Sequence, residues 1–356
     1  MPDLNLPDGL RAETLVPYLA EHLPAMGQLL GAELIAGGRS NLTYRLKLEG
    51  GPVVLRRPPL GHILPSAHDM RREYRFIESL AGSDVPIPAA LAFCDDEAVI
   101  GAKFYLMEFC PGRIVRATWP EDYGSAAERP RTSSIIANTL ARIHAVDWRA
   151  AGLEDMARPG NYVERQLKRL GQQYELSTPE VHPAAMEVRR RLGRAIPPVQ
   201  PQTIVHGDYA IHNVLLADDD PGRITAVLDW EMATIGDPLA DLGWVMAAWA
   251  KGEGQPDGYA PKGTHAVTAL PGFWTREAMV AEYGRASGRD VSNAEYYYVL
   301  GLFKMMVIWA GIDARYRAGV TRGEGFETYG PLVAYGAERA LAAAGASSIP
   351  ALRGVA

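Results

Sequence analysis

The chain is poor in cysteine, with only Cys94 and Cys110 among its 356 residues. Two cysteines cannot build a disulfide scaffold, and they are too few for a structural zinc site without several other ligands. They are consistent with a reducing compartment. The residues after Met1 contain no basic stretch followed by an apolar one, so we do not expect a secretory leader. We therefore predict a cytoplasmic protein.

The sequence also lacks a long uninterrupted apolar run and an excess of positive charge. The most apolar C-terminal stretch, residues 299–312, is interrupted by Lys304 and is shorter than the roughly 20 residues that span a bilayer. Asp and Glu number 42 and Lys and Arg number 36, which gives a net charge of -6. A mildly acidic chain is a poor candidate for a general nucleic-acid binder. We expect neither a membrane partner nor a nucleic-acid partner.

Two parts of unlike character follow each other along the chain. The length fits two domains or one unit with two lobes. We predict an α+β fold, with a small antiparallel-sheet N-terminal lobe over residues 1–109 and a larger, mainly helical C-terminal lobe over residues 110–356. The periodicities predict helices over 11–30, 70–80, 132–145, 161–173, 182–194, 274–287, 292–318 and 325–344, strands over 42–48, 53–55, 90–94, 104–109, 204–205, 214–216 and 224–228, a long loop over 251–272 and a frayed C-terminal end.

The most informative stretch lies between residues 205 and 216. An apolar strand end is followed by Asp208, and Asn213 comes five residues later, directly before a second apolar run. Asp229 stands sixteen residues after Asn213, at the end of a third apolar run. If the second and third runs pair as a hairpin across the turn near 217–223, we expect Asn213 and Asp229 to come close together.

These residue types suit phosphoryl transfer from a nucleotide. One carboxylate orients the acceptor hydroxyl and takes its proton, while a second carboxylate and an amide oxygen hold the divalent metal that bridges the phosphates. Hard oxygen ligands suit Mg²⁺. We therefore predict Asp208 as the catalytic base, Asn213 and Asp229 as ligands of Mg²⁺, and ATP as the phosphoryl donor.

Each of these residues has a plainer interpretation when it is taken alone. An aspartate after a glycine is usually a turn residue, an asparagine before a strand is usually a cap, and His206 is more often a packed core histidine. A metal hydrolase built on His206, Asp208 and His212 would need a dense cluster of metal ligands, and the sequence offers no further His-Asp pair. The ordered spacing of the whole set favours phosphoryl transfer.

The motif resembles that of a known family. Residues 206–213 resemble the His-Gly-Asp-x4-Asn loop of the aminoglycoside phosphotransferase and choline kinase-like enzymes, and residues 229–243 resemble the next block of that family. The resemblance implies a bilobal protein-kinase-like fold, with Asp208 as base and with Mg²⁺ bound by the later Asn and Asp. It also implies that Asp241 holds the catalytic loop through its backbone, although the helix dipole alone favours an acid in a first turn.

The same resemblance implies a nucleotide-binding loop in the N-terminal lobe. Residues 36–44 are similar to the family's Gly-Gly-x-Ser-Asn-x-x-Tyr loop, which makes Ser40 and Asn41 the expected phosphate contacts. Glycines allow close approach of the backbone to phosphate. By itself a Gly-Gly turn is weak evidence, because simple hairpins use the same residues.

Four further residues are expected around the nucleotide. Arg56 stands where a kinase has lysine, and Glu73, on the following helix, stands where the ion-pair partner of that lysine occurs in the family. Glu108 and Phe109 resemble the hinge, where backbone groups meet the adenine. The plainer alternatives are a solvated basic pair at a strand end, an exposed helix glutamate and an ordinary strand leading into a linker.

Two observations bear on the acceptor. Residues 55–59, Leu-Arg-Arg-Pro-Pro, resemble kinase-like domains found alone in bacteria or fused to acyl-CoA dehydrogenases in animals, for which hydroxyacyl-CoA phosphorylation is the implied chemistry. From Lys251 onward, in the region that shapes the acceptor pocket in this family, the sequence contains 11 Lys and Arg and 10 Asp and Glu. This region therefore has no excess of carboxylates that could pair with a polycationic substrate. We expect a small neutral or anionic hydroxyl substrate. Two alternatives stay open, an aminoglycoside phosphotransferase and a catalytically silent nucleotide-binding regulatory module, which the arginine at position 56 favours.

Overall fold

The computed structural model of the chain describes residues 4–35, 41–60, 69–254, 267–320 and 325–354. The chain divides into two compact units. The N-terminal unit comprises Met1–Gly112 and Thr225–Ala233, and the C-terminal unit comprises Arg113–Ile224 and Thr234–Ala356. The roles that we predicted for the lobes 1–109 and 110–356 stay predictions; this division also places the short segment 225–233 with the N-terminal residues.

The N-terminal unit is built on a five-stranded sheet. Its elements are α1 (Ala12–His22), β1 (Leu29–Leu34), β2 (Leu42–Leu48), β3 (Gly51–Arg57), α2 (Met70–Ser79), β4 (Ala90–Cys94) and β5 (Phe104–Glu108). The strands lie in the order β1-β2-β3-β5-β4, and all four neighbouring pairs are antiparallel. Alternating apolar residues produce this sheet, because one face of each strand packs into a core.

The helix predicted over residues 11–30 is wrong in its second half. The helix ends at His22, and Leu29–Leu34 forms the first strand of the sheet. Pro24 begins a short 3-10 turn, and Gly27 adopts a positive φ of 68°. Proline and a left-handed glycine both interrupt an α-helix, so the leucines after them are free to join the sheet.

Helix α2 begins where a side chain caps it. The carboxylate of Asp69 accepts a hydrogen bond from the backbone N–H of Arg72 at 3.1 Å, which satisfies one of the open donors of the first turn. This cap places Glu73 in the first turn, where its side chain is buried. The element therefore carries a buried carboxylate beside the sheet.

The rest of the chain is mainly helical, with short strands between the helices. Its elements are α3 (Arg129–Ala145), α4 (Tyr162–Ser177), α5 (Pro183–Arg194), β6 (Thr203–Val205), β7 (Val214–Ala217), β8 (Asp220–Val227), β9 (Thr234–Gly236), α6 (Leu239–Ala248), α7 (Arg276–Ser287), α8 (Ala294–Arg317), α9 (Tyr329–Ala346) and α10 (Pro350–Arg353). All of them belong to the C-terminal unit except the last three residues of β8. Strand β6 pairs antiparallel with β9, and β7 and β8 form a two-stranded sheet, the hairpin that the sequence predicts. Together with the N-terminal sheet, these elements confirm the predicted α+β class.

Most of the predicted loop over 251–272 lies outside the described residues, and the C-terminal end that was expected to fray contains the short helix α10. Within the part of the chain that the structure describes, α8 is long and apolar enough to cross a membrane, and 61% of the apolar 18-residue stretch that meets this criterion is buried inside the protein. Buried core helices pass the same test. The apolar stretch that we predicted at 299–312 lies inside this 24-residue helix.

Candidate functional site

The loop between β6 and β7 brings two predicted site residues into contact. The side-chain amide of Asn213 donates hydrogen bonds to the backbone carbonyl of Asp208 at 2.8 Å and to its carboxylate at 2.9 Å. A carboxylate only accepts, so Nδ2 of Asn213 faces Asp208. The amide Oδ1, which receives no hydrogen bond from the described residues, is the atom left for a cation. A hard amide oxygen of this kind fits Mg²⁺.

Asp241, in the first turn of α6, holds the backbone of this loop. Its carboxylate accepts the N–H of His206 at 2.7 Å and the N–H of Gly207 at 2.8 Å. Burial acts to raise the pKa of Asp241, but its hydrogen bond with His144 and its contacts with the loop outweigh burial and lower it. The carboxylate is therefore charged and fixes the two residues that precede Asp208. This is the supporting contact that the family resemblance implies.

His144 extends this network, and sequence reasoning missed it. Its Nε2 lies 3.3 Å from the Asp241 carboxylate, and its Nδ1 lies 2.7 Å from the hydroxyl of Tyr283. Because the carboxylate only accepts, Nε2 carries the proton and Nδ1 accepts from the tyrosine. Burial lowers the pKa of His144, in keeping with a neutral ring. A histidine near the end of an amphipathic helix gives no signal of this contact, which joins residues 97 positions apart.

Lys304, on α8, is a second residue that the sequence analysis did not assign to the site. Its ammonium donates a hydrogen bond to the backbone carbonyl of Gly207 and lies 4.4 Å from the ring centroid of Trp244. Burial lowers the pKa of Lys304, while the charges of Asp208 and Asp241 act in the opposite direction. The signal in the sequence is a single lysine in the otherwise apolar stretch 299–312.

In the N-terminal unit, Arg56 joins two carboxylates. Its Nε lies 3.1 Å from Glu73, and its Nη2 lies 2.5 Å from Oδ1 of Asp229. The side chains of Arg56 and Glu73 are 13% and 1% exposed. Burial raises the pKa of Glu73 to about 7, against the opposing effect of Arg56. Two predicted nucleotide-binding residues and one predicted metal ligand thus form one charged cluster, the Arg56 cluster.

The two neighbouring arginines of β3 have different environments. Arg57 is also buried, but it donates to the carbonyl oxygens of Gly9, Ile100 and Pro58. Alternation along the strand turns the two side chains to opposite faces of the sheet. Of the two, Arg56 is the one that meets carboxylates, and Arg57 ties the N-terminal segment to the sheet.

Asp229 has an unusual backbone conformation. Its φ is +65°, and among the described residues it is the one non-glycine residue with a positive φ. A left-handed conformation costs an L-residue roughly 1–2 kcal/mol, although aspartate tolerates it better than most. Strain of this kind concentrates at functional sites. Asp229 follows the end of β8, and in this conformation its carboxylate accepts a hydrogen bond from Arg56.

The remaining predicted nucleotide contacts are placed as follows. Ser40 lies outside the described residues. Asn41 is 3% exposed; its Nδ2 donates to Glu231 at 3.2 Å, and its buried Oδ1 has no partner among the described residues. Glu108 ends β5 and accepts the N–H of Ala89 at 3.1 Å. Phe109 follows it, with the guanidinium of Arg45 lying 4.5 Å from its ring centroid.

His206 is fully buried, and its Nδ1 accepts the backbone N–H of Asp208 at 3.2 Å. In the described ranges, no group of three or more His, Cys, Asp or Glu side chains could hold a metal ion. Such a group is what the metal-hydrolase alternative requires. The plainer interpretation of His206, a packed core histidine that shapes the loop, agrees with its contacts.

Comparisons with known proteins bear on this geometry. A family model described as "Phosphotransferase enzyme family" matches residues 31–290. Acyl-CoA dehydrogenase family member 11 of Gallus gallus is 34% identical over 343 residues, which cover 92% of this chain and 43% of that protein. The chain spans between about a quarter and two fifths of the length of the first curated relatives that it matches.

Solved structures show the same fold. A crystal structure from Ralstonia eutropha, described provisionally as an aminoglycoside phosphotransferase, is 31% identical with a TM-score of 0.79, and the match covers 93% of this chain and 97% of that one. A thermostable mutant of aminoglycoside phosphotransferase APH(4)-Ia, in a ternary complex with ADP and hygromycin B, is 15% identical with a TM-score of 0.60, covering 94% of this chain and 100% of that one. The second likeness concerns the fold alone.

Proposed function

Since the chain belongs to the phosphotransferase enzyme family, a family of kinase-like fold, we propose that it transfers the γ-phosphoryl group of ATP to a hydroxyl of a small molecule, with Mg²⁺. We propose a hydroxyacyl-CoA as the molecule that carries this hydroxyl. The observation that carries the proposal is the contact between Asp208 and Asn213 in a loop whose backbone Asp241 fixes. A base that must meet one hydroxyl needs this kind of fixed orientation.

In the C-terminal unit, Asp208 is the proposed catalytic base. The hydrogen bond from Asn213 orients its carboxylate. Asp208 orients the acceptor hydroxyl and takes its proton as the hydroxyl oxygen bonds to phosphorus and the bond from phosphorus to the bridging oxygen breaks. General-base assistance of this kind contributes about 10²- to 10⁴-fold to rate.

The oxygen donors of Asn213 and Asp229 are the proposed ligands of Mg²⁺, each within its own unit. Both are hard oxygen donors, which suits this cation. Bound Mg²⁺ would neutralise charge on the phosphate oxygens. In the N-terminal unit, Arg56 would neutralise further phosphate charge through its planar guanidinium, and Glu73 would hold the guanidinium in place. Ser40, Asn41, Glu108 and Phe109 remain our proposed nucleotide contacts.

Two facts support a hydroxyacyl-CoA as the acceptor. The curated relatives at 30–34% identity are named as acyl-CoA dehydrogenase family members, although this chain covers less than half of their length. The near balance of charge from Lys251 onward gives no carboxylate excess to pair with the ammonium groups of an aminoglycoside. An acyl thioester carries no such groups.

A catalytically silent nucleotide-binding module is the second candidate. The observation that favours it is the direct ion pair between Arg56 and Asp229, which engages one oxygen of a proposed metal ligand. Such a module would bind nucleotide and transfer nothing.

The test is a comparison of Asp208→Asn and Asp229→Asn with the wild type, using γ-labelled ATP, Mg²⁺ and a 3-hydroxyacyl-CoA. We expect Asp208→Asn to lower kcat by about 10²- to 10⁴-fold while nucleotide binding, measured by calorimetry, is retained. Asp229→Asn should also weaken Mg²⁺-dependent ATP binding. Asp219→Asn, an exposed carboxylate in the β7–β8 turn, is the matched control and should be active.

The outcomes separate the candidates. Label transfer that is lost in Asp208→Asn and kept in Asp219→Asn supports the phosphotransferase. Unchanged transfer in Asp208→Asn contradicts the proposed base. ATP binding by the wild type, with no label in any hydroxylated acceptor, supports the silent module.

A further inference from the structure

Lys304 is a cation next to the proposed base that the mechanism above does not use. It lies on α8, within the same unit as the loop that carries Asp208, and it is partly exposed. Its ammonium donates to the carbonyl of Gly207, the residue directly before the base. An ammonium has three donor positions, and this contact occupies one of them.

The other two donor positions of Lys304 have no hydrogen-bond partner in the part of the chain that the structure describes. Within the described residues, its ammonium makes no second hydrogen bond and no ion pair at contact distance with a carboxylate, although the charges of Asp208 and Asp241 act on it from farther away. The face of Trp244 lies 4.4 Å from the ammonium. A cation that is removed from bulk water normally has such a partner. The ring of Trp244 stabilises the charge without using a donor. The ammonium can therefore donate to a bound molecule.

Trp244 adds a second open donor at the same place. The residue is 7% exposed, and its indole Nε1 is buried without a hydrogen-bond partner in the described part of the chain. A buried indole N–H usually finds an acceptor. Lys304 and Trp244 thus form a pair of neighbouring donors, the Lys304–Trp244 pair, beside the loop that holds the base.

We propose that the Lys304–Trp244 pair donates hydrogen bonds to an oxygen atom in the acyl part of the substrate that receives the phosphoryl group. This oxygen belongs to a thioester carbonyl or to a carboxylate, so the pair selects hydroxy acyl compounds over ammonium-bearing ones. This inference rests on the proposed role of Asp208. The base meets the hydroxyl, so a donor next to the base meets the atoms that flank that hydroxyl. A substrate ammonium at the same place would face a like charge in a partly desolvated position, which is unfavourable.

A purely structural role is the competing explanation. Lys304 also ties α8 to the loop through Gly207, and loss of that tie alone would disturb the base. The two explanations differ in kinetics. A residue that binds the acceptor changes its KM and its affinity, whereas a residue that only shapes the loop changes kcat.

The experiment measures kcat and KM for a 3-hydroxyacyl-CoA and for the free 3-hydroxy acid in wild type, Lys304→Met, Lys304→Arg and Trp244→Phe. We expect Lys304→Met to raise the KM for the acceptor by about 10- to 100-fold, the usual effect of losing a charged hydrogen bond, with a much smaller change in kcat and in the KM for ATP. Lys304→Arg keeps the charge and should recover most of the loss, and Trp244→Phe should give a smaller rise. Lys168→Met, an exposed lysine on α4, is the matched control.

A binding arm keeps this test independent of turnover. Calorimetry with an acyl-CoA that lacks the hydroxyl, and with the free acid, reports affinity whether or not phosphoryl transfer occurs. Weaker binding to Lys304→Met than to wild type or Lys304→Arg supports the inference. If the wild type then binds these ligands but transfers no phosphoryl group, that result counts against the proposed function alone. If the affinity of Lys304→Met falls more for the acyl-CoA, the pair binds the thioester carbonyl. If it falls more for the free acid, the pair binds the carboxylate.

The inference is overturned by any of three results. The first is a Lys304→Met variant that binds both ligands with wild-type affinity, and the second is a wild type that binds neither ligand. The third is a fall in kcat of Lys304→Met with an unchanged KM for the acceptor. If Lys304→Met fails to fold, as judged by its Tm, the KM and the affinity of Trp244→Phe and Lys304→Arg are compared with those of the wild type instead.

Discussion

At the residue scale, the Arg56 cluster concentrates most of the unusual electrostatics of the N-terminal unit. One guanidinium meets the buried carboxylate of Glu73 and the strained residue Asp229. A buried ion pair contributes little net stability by itself, but loss of one partner leaves the other charge uncompensated. The cluster is therefore sensitive to single substitutions and to pH.

We expect Arg56→Met to lower the free energy of unfolding by about 3–5 kcal/mol at about pH 8.5, because it leaves Glu73 buried without its cation. Burial already raises the pKa of Glu73 from its ordinary 4.5 to about 7. A carboxyl group with a raised pKa in the folded protein contributes stability below its unfolded pKa and loses that contribution as the pH rises through the folded pKa. The decrease in the free energy of unfolding caused by Arg56→Met should therefore be clearly smaller at about pH 5.5, where Glu73 is neutral. Denaturant unfolding at the two pH values measures the difference.

The double variant Arg56→Met with Glu73→Gln is the matched control, since it removes both charges of the buried pair. We expect it to be more stable than Arg56→Met at the higher pH and to have a flatter pH profile. A loss from Arg56→Met that is equal at both pH values, or larger at the acidic one, would contradict this account of Glu73.

At the scale of elements, the packing of α6 on α8 positions Asp241, Trp244 and Lys304. The two helices approach closely because a glycine stands at the crossing on each of them. A Cβ on Gly243 would overlap the backbone carbonyl of Tyr297, and a Cβ on Gly301 would overlap the carbonyl of Gly243. The same close approach places the ammonium of Lys304 over the ring of Trp244.

We expect Gly243→Ala to destabilise the protein by about 1–3 kcal/mol or more, because the added methyl group meets backbone atoms that cannot move aside. Thermal unfolding measures the effect. Gly345→Ala on α9 is the control, since its added Cβ meets nothing within 4 Å. Alanine also has a higher helix propensity than glycine. A Gly243→Ala variant with the Tm of the control would show that the crossing is looser than described.

Sequence patterns predicted most helices of the C-terminal unit within a few residues. The pattern is clearest in α4 and α5, which each have an apolar face and begin at a side-chain cap. The pattern failed at residues 23–34, where an apolar period of helical spacing runs past Pro24 and Gly27 into a strand. It also missed β9, which is three residues long and exists through its pairing with β6. Short strands of this kind have no period of their own.

At the scale of the whole molecule, local motifs and the family resemblance together revealed most of the candidate site. Asp208 and Asn213 are five positions apart, and one loop brings them into contact. His144 and Lys304 could not be predicted, since each reaches its partner across 97 residues of chain. The grouping of residues 225–233 with the N-terminal unit likewise depends on tertiary contacts rather than on sequence order.

Phosphoryl transfer to a hydroxyl is tested most directly by following the label itself. The protein is incubated with γ-labelled ATP, Mg²⁺ and either a 3-hydroxyacyl-CoA or the matched acyl-CoA that lacks the hydroxyl, and the products are separated by mass. The account predicts a phosphate ester of the hydroxylated thioester and no labelled ester from its matched partner. Label that appears only as inorganic phosphate, or that stays in ATP with both compounds, would contradict it.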